Sequence, residues 1–120
     1  MAHTDAPSLL FVMDQPPHGS NACRELLDMI LSAAAFDLSV SLLLQGDSVV
    51  LADGEGPTQP ELRTLREQLE SLPLFGVRGI RLNSDHCKAR GITPGLNEAQ
   101  PLEGQQIREL YRNHDRVVQL

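Results

Sequence analysis

Leu9-Leu10-Phe11-Val12-Met13, closed by Asp14-Gln15-Pro16-Pro17, is the stretch on which the fold turns. An unbroken apolar run of this length, stopped by prolines, predicts a strand buried on both faces. His18-Gly19-Ser20-Asn21 follows as a turn with two candidate N-caps, Ser20 and Asn21. Behind it Leu26, Leu27, Ile30, Leu31 and Ala34 recur at helical spacing. Glu25 and Asp28 sit early, at the positive end of the helix dipole. A buried strand, a tight turn and an amphipathic helix begin a β-α-β unit.

The same alternation continues outward. Residues 1–7 are a polar lead-in, predicted to be mobile. Leu38 to Leu44 predicts a second strand, broken by Gln45-Gly46-Asp47. Ser48 to Ala52 reads as a third short strand or a short helical turn, and Asp53 to Pro57 as a loop. Thr58 and Glu61 have the spacing of a capping box, ahead of a helix whose buried face is Leu62, Leu65, Leu69 and Leu72. Pro73 ends it. Val77 to Leu82 predicts another strand. Asn83 or Ser84 then caps a short helix that runs to Arg90 and stops at Gly91, where a left-handed residue is favoured. Thr93 to Gln100 is ambiguous, with part of it a possible strand. Glu103 to Asn113 predicts a helix with Ile107, Leu110 and Tyr111 inward, and Val117 to Leu120 a closing strand. The pattern predicts an α/β fold: a single-domain three-layer sandwich, flavodoxin/Rossmann-like, with a mostly parallel sheet of about five strands. In such sheets ligands and chemistry collect beyond the carboxyl ends of the strands. The loops at residues 14–21, 46–58 and 83–87 meet that description.

The composition bounds what this domain does. A chain of 120 residues fits one domain spanning 1–120. Phe11, Phe36, Phe75 and Tyr111 are its only aromatic residues, so the core is built of aliphatic side chains. Ten basic against sixteen acidic residues leave a formal charge of −6, which argues against direct nucleic-acid binding. No apolar run is long enough to span a membrane, and no secretory leader is visible, so a cytoplasmic location is expected. Two cysteines in such a chain suggest reduced thiols, not a disulfide framework.

Several residues invite a chemical reading. Cys23 and Cys87 each lie early in a predicted helix, where the helix N-terminus favours a thiolate. His86 and Lys88 flank Cys87 and could assist it. The plainer reading, preferred for both, is a small buried hydrophobe. His18 stands on a turn where Gly19 leaves room for a ligand, as a base or a phosphate contact, although a turn histidine is usually just solvated. The four histidines show no metal-ligand spacing, and there is no GxGxxG or Walker loop, so no metal or cofactor is assigned. Leu72-Pro73-Leu74-Phe75-Gly76-Val77 is an unusually apolar connector. It is expected to pack under its own sheet, or else against another chain.

Taken in order, the strand with Pro16-Pro17-His18-Gly19, Arg24 to Asp28, Ala33 to Leu38, Leu72 to Val77, Lys88-Ala89-Arg90-Gly91-Ile92 and Asp115 to Leu120 form a recognisable series. The chain resembles the DsrE/DsrF/DsrH-like sulfur-relay family, most closely its TusC (DsrF) branch, from Leu9 to Leu120. The resemblance implies assembly with TusB/DsrH-like and TusD/DsrE-like sister subunits into a heterohexamer of two trimers. Such complexes pass persulfide sulfur towards the wobble uridine of certain tRNAs, or serve sulfur oxidation. The reactive cysteines lie mainly on the sister subunits, and this branch looks like a scaffold. Many relatives carry a cysteine at the end of the strand before the Lys-Ala-Arg-Gly-Ile-like segment. Counted back from Gly91, that position is Asn83 here, and Cys87 lies four residues further on. The resemblance therefore implies an assembly role, with Leu74 and Phe75 as partner-interface candidates and no catalytic residue assigned. The alternatives are a sulfur carrier using Cys87 or Cys23, and a small-molecule-binding α/β module using His18.

Overall fold

The computed structural model describes residues 7–120. The predicted lead-in at residues 1–7 therefore falls, apart from Pro7, outside the described residues. Five strands form one sheet: β1 (Ser8–Met13), β2 (Ser39–Leu44), β3 (Gly79–Asn83), β4 (Ala99–Leu102) and β5 (Arg116–Gln119). Their spatial order is β4-β3-β2-β1-β5, and every neighbouring pair is parallel. The apolar run that opened the sequence is thus an interior strand, flanked by β2 and β5. Four helices connect the strands: α1 (Ala22–Ala35), α2 (Pro60–Ser71), α3 (Ser84–Ala89) and α4 (Gly104–Arg112).

Side chains alternate across a strand, so each strand feeds two cores. On one face Phe11, Met13, Val40, Leu42, Leu44, Ile80 and Leu82 meet the apolar sides of α1, α2 and α3. On the other, Leu10, Val12 and Leu43 meet α4 through half-buried Ile107, Leu110 and Tyr111. Twenty buried residues line the first core and three the second, so most of the burial free energy lies on the first face.

Three local details settle or differ from what the sequence left open. Residues Gly46–Ala52 form a 3₁₀ segment, the helical alternative of the two readings. Ser48 decides it: its hydroxyl is wholly buried and donates to the carbonyls of Met13 and Gln45, which curls the chain back over β1. The capping box expected at Thr58 and Glu61 does not form. Helix α2 starts at Pro60 with Gln59 at the N-cap, because proline at the first helical position is already set to a helical φ. A capping box forms instead at α4, between Glu103 and Gln106. The ambiguous stretch before it resolves into a bridge between Asp53 and Pro94, then β4. Arg66 secures that bridge by donating to the carbonyls of Asp53 (2.5 Å) and Gly95 (3.1 Å).

Candidate functional site

The carboxyl ends of the strands gather Asp14, Gln45, Gly46, Asn83 and Gln119 at one edge of the sheet. Gln119 donates to Asp14 at 2.5 Å. Gly46 turns the chain away from β2 with φ +57°. A Cβ there would stand 2.8 Å from the Asp14 carbonyl oxygen, so only glycine passes between the two strand ends.

The N–H of Gly46 donates to His86 Nδ1 at 2.8 Å. An amide can only donate, so the imidazole accepts at Nδ1 and carries its proton on Nε2. Asn83 caps α3, its Oδ1 accepting from the His86 amide at 3.1 Å. Arg90, one turn on, pairs with Asp47 at 3.0 Å and donates to the His86 carbonyl. The loop after β2 is therefore tied to α3 at two points. Replacing Asn83 by alanine removes one of the helix's few amide acceptors. A loss of roughly 1 kcal/mol in stability is expected, measurable by urea unfolding of the Asn83→Ala variant.

Neither thiol opens onto this edge. Cys23 is the second residue of α1 and is 2% exposed, with Sγ 3.4 Å from the Gln15 carbonyl. Burial, helped by the charge of Asp14, pushes its pKa up to about 11. Cys87 is equally buried in α3, and burial raises its pKa although Arg90 pulls the other way. At both cysteines the loss of solvent acts against the thiolate that a helix N-terminus would favour, and burial is the larger influence. His86 is held by Gly46 through its Nδ1 and does not act on the neighbouring thiol through that atom.

The other candidates lie elsewhere. His18 is exposed on its turn and lines a cleft of about 330 Å³ with Ser20, Asn21, Arg24 and Glu61. Leu74 and Phe75 belong to a 3₁₀ segment (Leu72–Phe75) at the opposite end of the sheet, where chains enter the strands. Leu72 packs into the core as the connector's apolar character predicts. Leu74 and Phe75 do not: they are 86% and 58% exposed, so packing beneath their own sheet is ruled out for them. Phe36, at the end of α1, is 80% exposed, and α1 packs against this same segment. Among the described residues no three histidine, cysteine, aspartate or glutamate side chains converge as a metal set would. What sequence reasoning missed is the His86–Gly46 tie, since a histidine pairing with an amide forty residues away leaves no local pattern.

Comparison with known proteins agrees with this architecture. The sequence pattern of the DsrE/DsrF-like family matches residues 8–120. A protein TusC homolog of Pseudomonas aeruginosa is 32% identical over 116 residues, covering 94% of this chain and 98% of the relative. Protein TusC of Buchnera aphidicola is 27% identical over 92% of this chain and 96% of its own length. The crystal structure of the Escherichia coli ychN protein superposes with a TM-score of 0.76 at 18% identity, covering 95% of this chain and 99% of that one. A conserved protein of unknown function from Bacteroides thetaiotaomicron gives 0.71 at 13% identity, over 100% and 99% of the two chains. At those identities the two structures speak for the fold alone.

Proposed function

This chain belongs to the DsrE/DsrF-like family, and from that membership we propose that it is the assembly subunit of a sulfur-relay complex. Its partners are sister subunits of the TusB/DsrH-like and TusD/DsrE-like kinds, which carry the persulfide. The complex serves tRNA wobble-uridine thiolation or a related sulfur-oxidation route, in the cytoplasm. One observation carries the choice of assembly over carriage. The strand-end position that bears a cysteine in many relatives holds Asn83, whose amide is committed to capping α3. The two cysteines the chain does have are buried and disfavour the thiolate. A persulfide carrier needs a nucleophilic sulfur that a partner can reach.

The test is native mass spectrometry of the tagged protein recovered from its own cells. Two companion chains of similar size, with extra sulfur on them and none on this chain, is the expected result. A homo-oligomer with unmodified cysteines would overturn the reading. Added sulfur on this chain, lost in Cys87→Ser or Cys23→Ser, would replace assembly with carriage.

Leu74 and Phe75 are proposed to bury against a companion subunit. Apolar side chains this exposed, grouped with Phe36, suit the core of a permanent interface. The double variant Leu74→Asp, Phe75→Asp is expected to keep its circular dichroism spectrum and lose companion binding by at least about tenfold. Undiminished recovery of companions would remove this surface from the interface.

A further inference from the structure

Among the described residues, the second face of the sheet is only partly covered. Helix α4 lies against Leu10, Val12 and Leu43, which belong to β1 and β2. The buried side chains of α1, α2 and α3 all belong to the other core. Over β3 this second face is formed by Gly79, Arg81 and Asn83, each half-exposed, while Ile80 and Leu82 between them are buried on the far side. Gln100 of β4, in register with Arg81, is exposed beside it.

Arg81 is the unusual member. A cation at the middle of a strand, on a sheet face, ordinarily finds a carboxylate. Among the described residues the Arg81 side chain makes no ion pair and no hydrogen bond; the ion pairs there are Arg66–Glu70 and Arg90–Asp47. Its guanidinium nevertheless has a defined place. It lies back along β3 over Gly79, where an added Cβ would overlap Nη1 and stand 2.8 Å from Cζ. Glycine at 79 thus leaves a seat that any other residue would fill, and the planar fork rests on the strand with its donors unused.

We propose that this half-face is a protein-docking surface whose occupant is a different chain, presenting an aspartate or glutamate to Arg81. The inference rests on the assembly reading above and names a second contact for it, apart from the Leu74–Phe75 end. Charge selects the occupant. A carboxylate matches the guanidinium fork with two parallel hydrogen bonds, and exclusion of water at an interface strengthens them. A second copy packed face to face on this same half-face would offer Arg81 only Gly79, Asn83, Gln100 and another Arg81, none of them a carboxylate, between molecules that each carry −6. A nucleic acid needs several cations on one surface, and here the strand neighbour is the neutral Gln100.

The experiment uses the tagged chain purified from its own cells, as wild type and as Arg81→Glu and Arg81→Lys. Arg81→Glu is expected to cut companion recovery at least about tenfold with an unchanged circular dichroism spectrum. Arg81→Lys puts an amine at the same place, and a zero-length carbodiimide should join residue 81 to an acidic residue of a companion chain. That cross-link decides the matter even if Arg81→Glu folds poorly. Full companion recovery with Arg81→Glu, or a cross-link from residue 81 to this chain's own sequence, would overturn the docking surface while leaving the assembly reading intact. A wild-type chain recovered without companions would overturn both.

Discussion

Iodoacetamide added to the folded protein at pH 8 is expected to alkylate Cys23 at least about a hundredfold more slowly than a free cysteine. At that pH the thiolate fraction of an ordinary thiol is near a quarter, whereas a thiol with a pKa of about 11 is roughly 0.1% ionised. Two influences compete at this position. The first turn of α1 favours an anion, by about 0.3–1 kcal/mol. Removing the sulfur from water acts the other way. Raising the pKa from near 9 to about 11 corresponds to roughly 3 kcal/mol, so burial wins. Cys87 should share the slow labelling, since it is equally enclosed and its pKa is also raised. In guanidinium chloride both should react at the free rate. Fast labelling of either cysteine in the native state would restore a carrier role and undo the argument from Asn83. The shift has a second consequence. Because Cys23 holds its proton more tightly folded than unfolded, folding stability is untouched below about pH 9. It declines as pH rises towards 11, where the unfolded chain has lost the proton first.

The parts legible from sequence were those set by local patterning. The run Leu9 to Met13 could only be a strand closed in on both sides, and it lies between β2 and β5. The leucines at 65, 69 and 72 face the core as their spacing requires, and Gly91 takes φ +67° at the end of α3. Asn83 was one of two N-cap candidates, and a helix needs only one. Legibility failed where contacts between distant residues decide. Ser48 to Ala52 reads equally as strand or helical turn, and the distant Met13 carbonyl, which accepts from the Ser48 hydroxyl beside the local Gln45 carbonyl, goes with the helical form. Leu74 and Phe75 look like core residues by type. A 3₁₀ turn after Pro73 and a left-handed Gly76 nonetheless aim them outward. Arg81 leaves no pattern in the sequence, being a single charge within an otherwise regular strand. Its meaning depends on which face α4 leaves open.

Gly46→Ala is expected to lower the melting temperature by roughly 10 °C or more, the largest effect of any glycine-to-alanine change in this edge. Two costs act together. An L-residue held at a left-handed φ loses about 1–2 kcal/mol relative to glycine. The new methyl also meets the Asp14 carbonyl oxygen at 2.8 Å and the Asp14 Cβ at 3.2 Å, and the first of these is backbone directly after the end of β1, with little freedom to withdraw. Together they amount to roughly 3 kcal/mol. Gly19→Ala isolates the first cost. Gly19 has φ +83° with nothing within 4 Å of an added Cβ, so it should lose only about 1–2 kcal/mol. The excess of Gly46→Ala over Gly19→Ala therefore measures how rigidly the ends of β1 and β2 are set. That rigidity bears on function through His86, whose imidazole is held in place by the Gly46 amide. If the two variants melt together, the strand ends yield easily and the tie between Gly46 and His86 holds nothing fixed. If Gly46→Ala is the worse by the expected margin, α3 and the cap at Asn83 stand on a stiff edge.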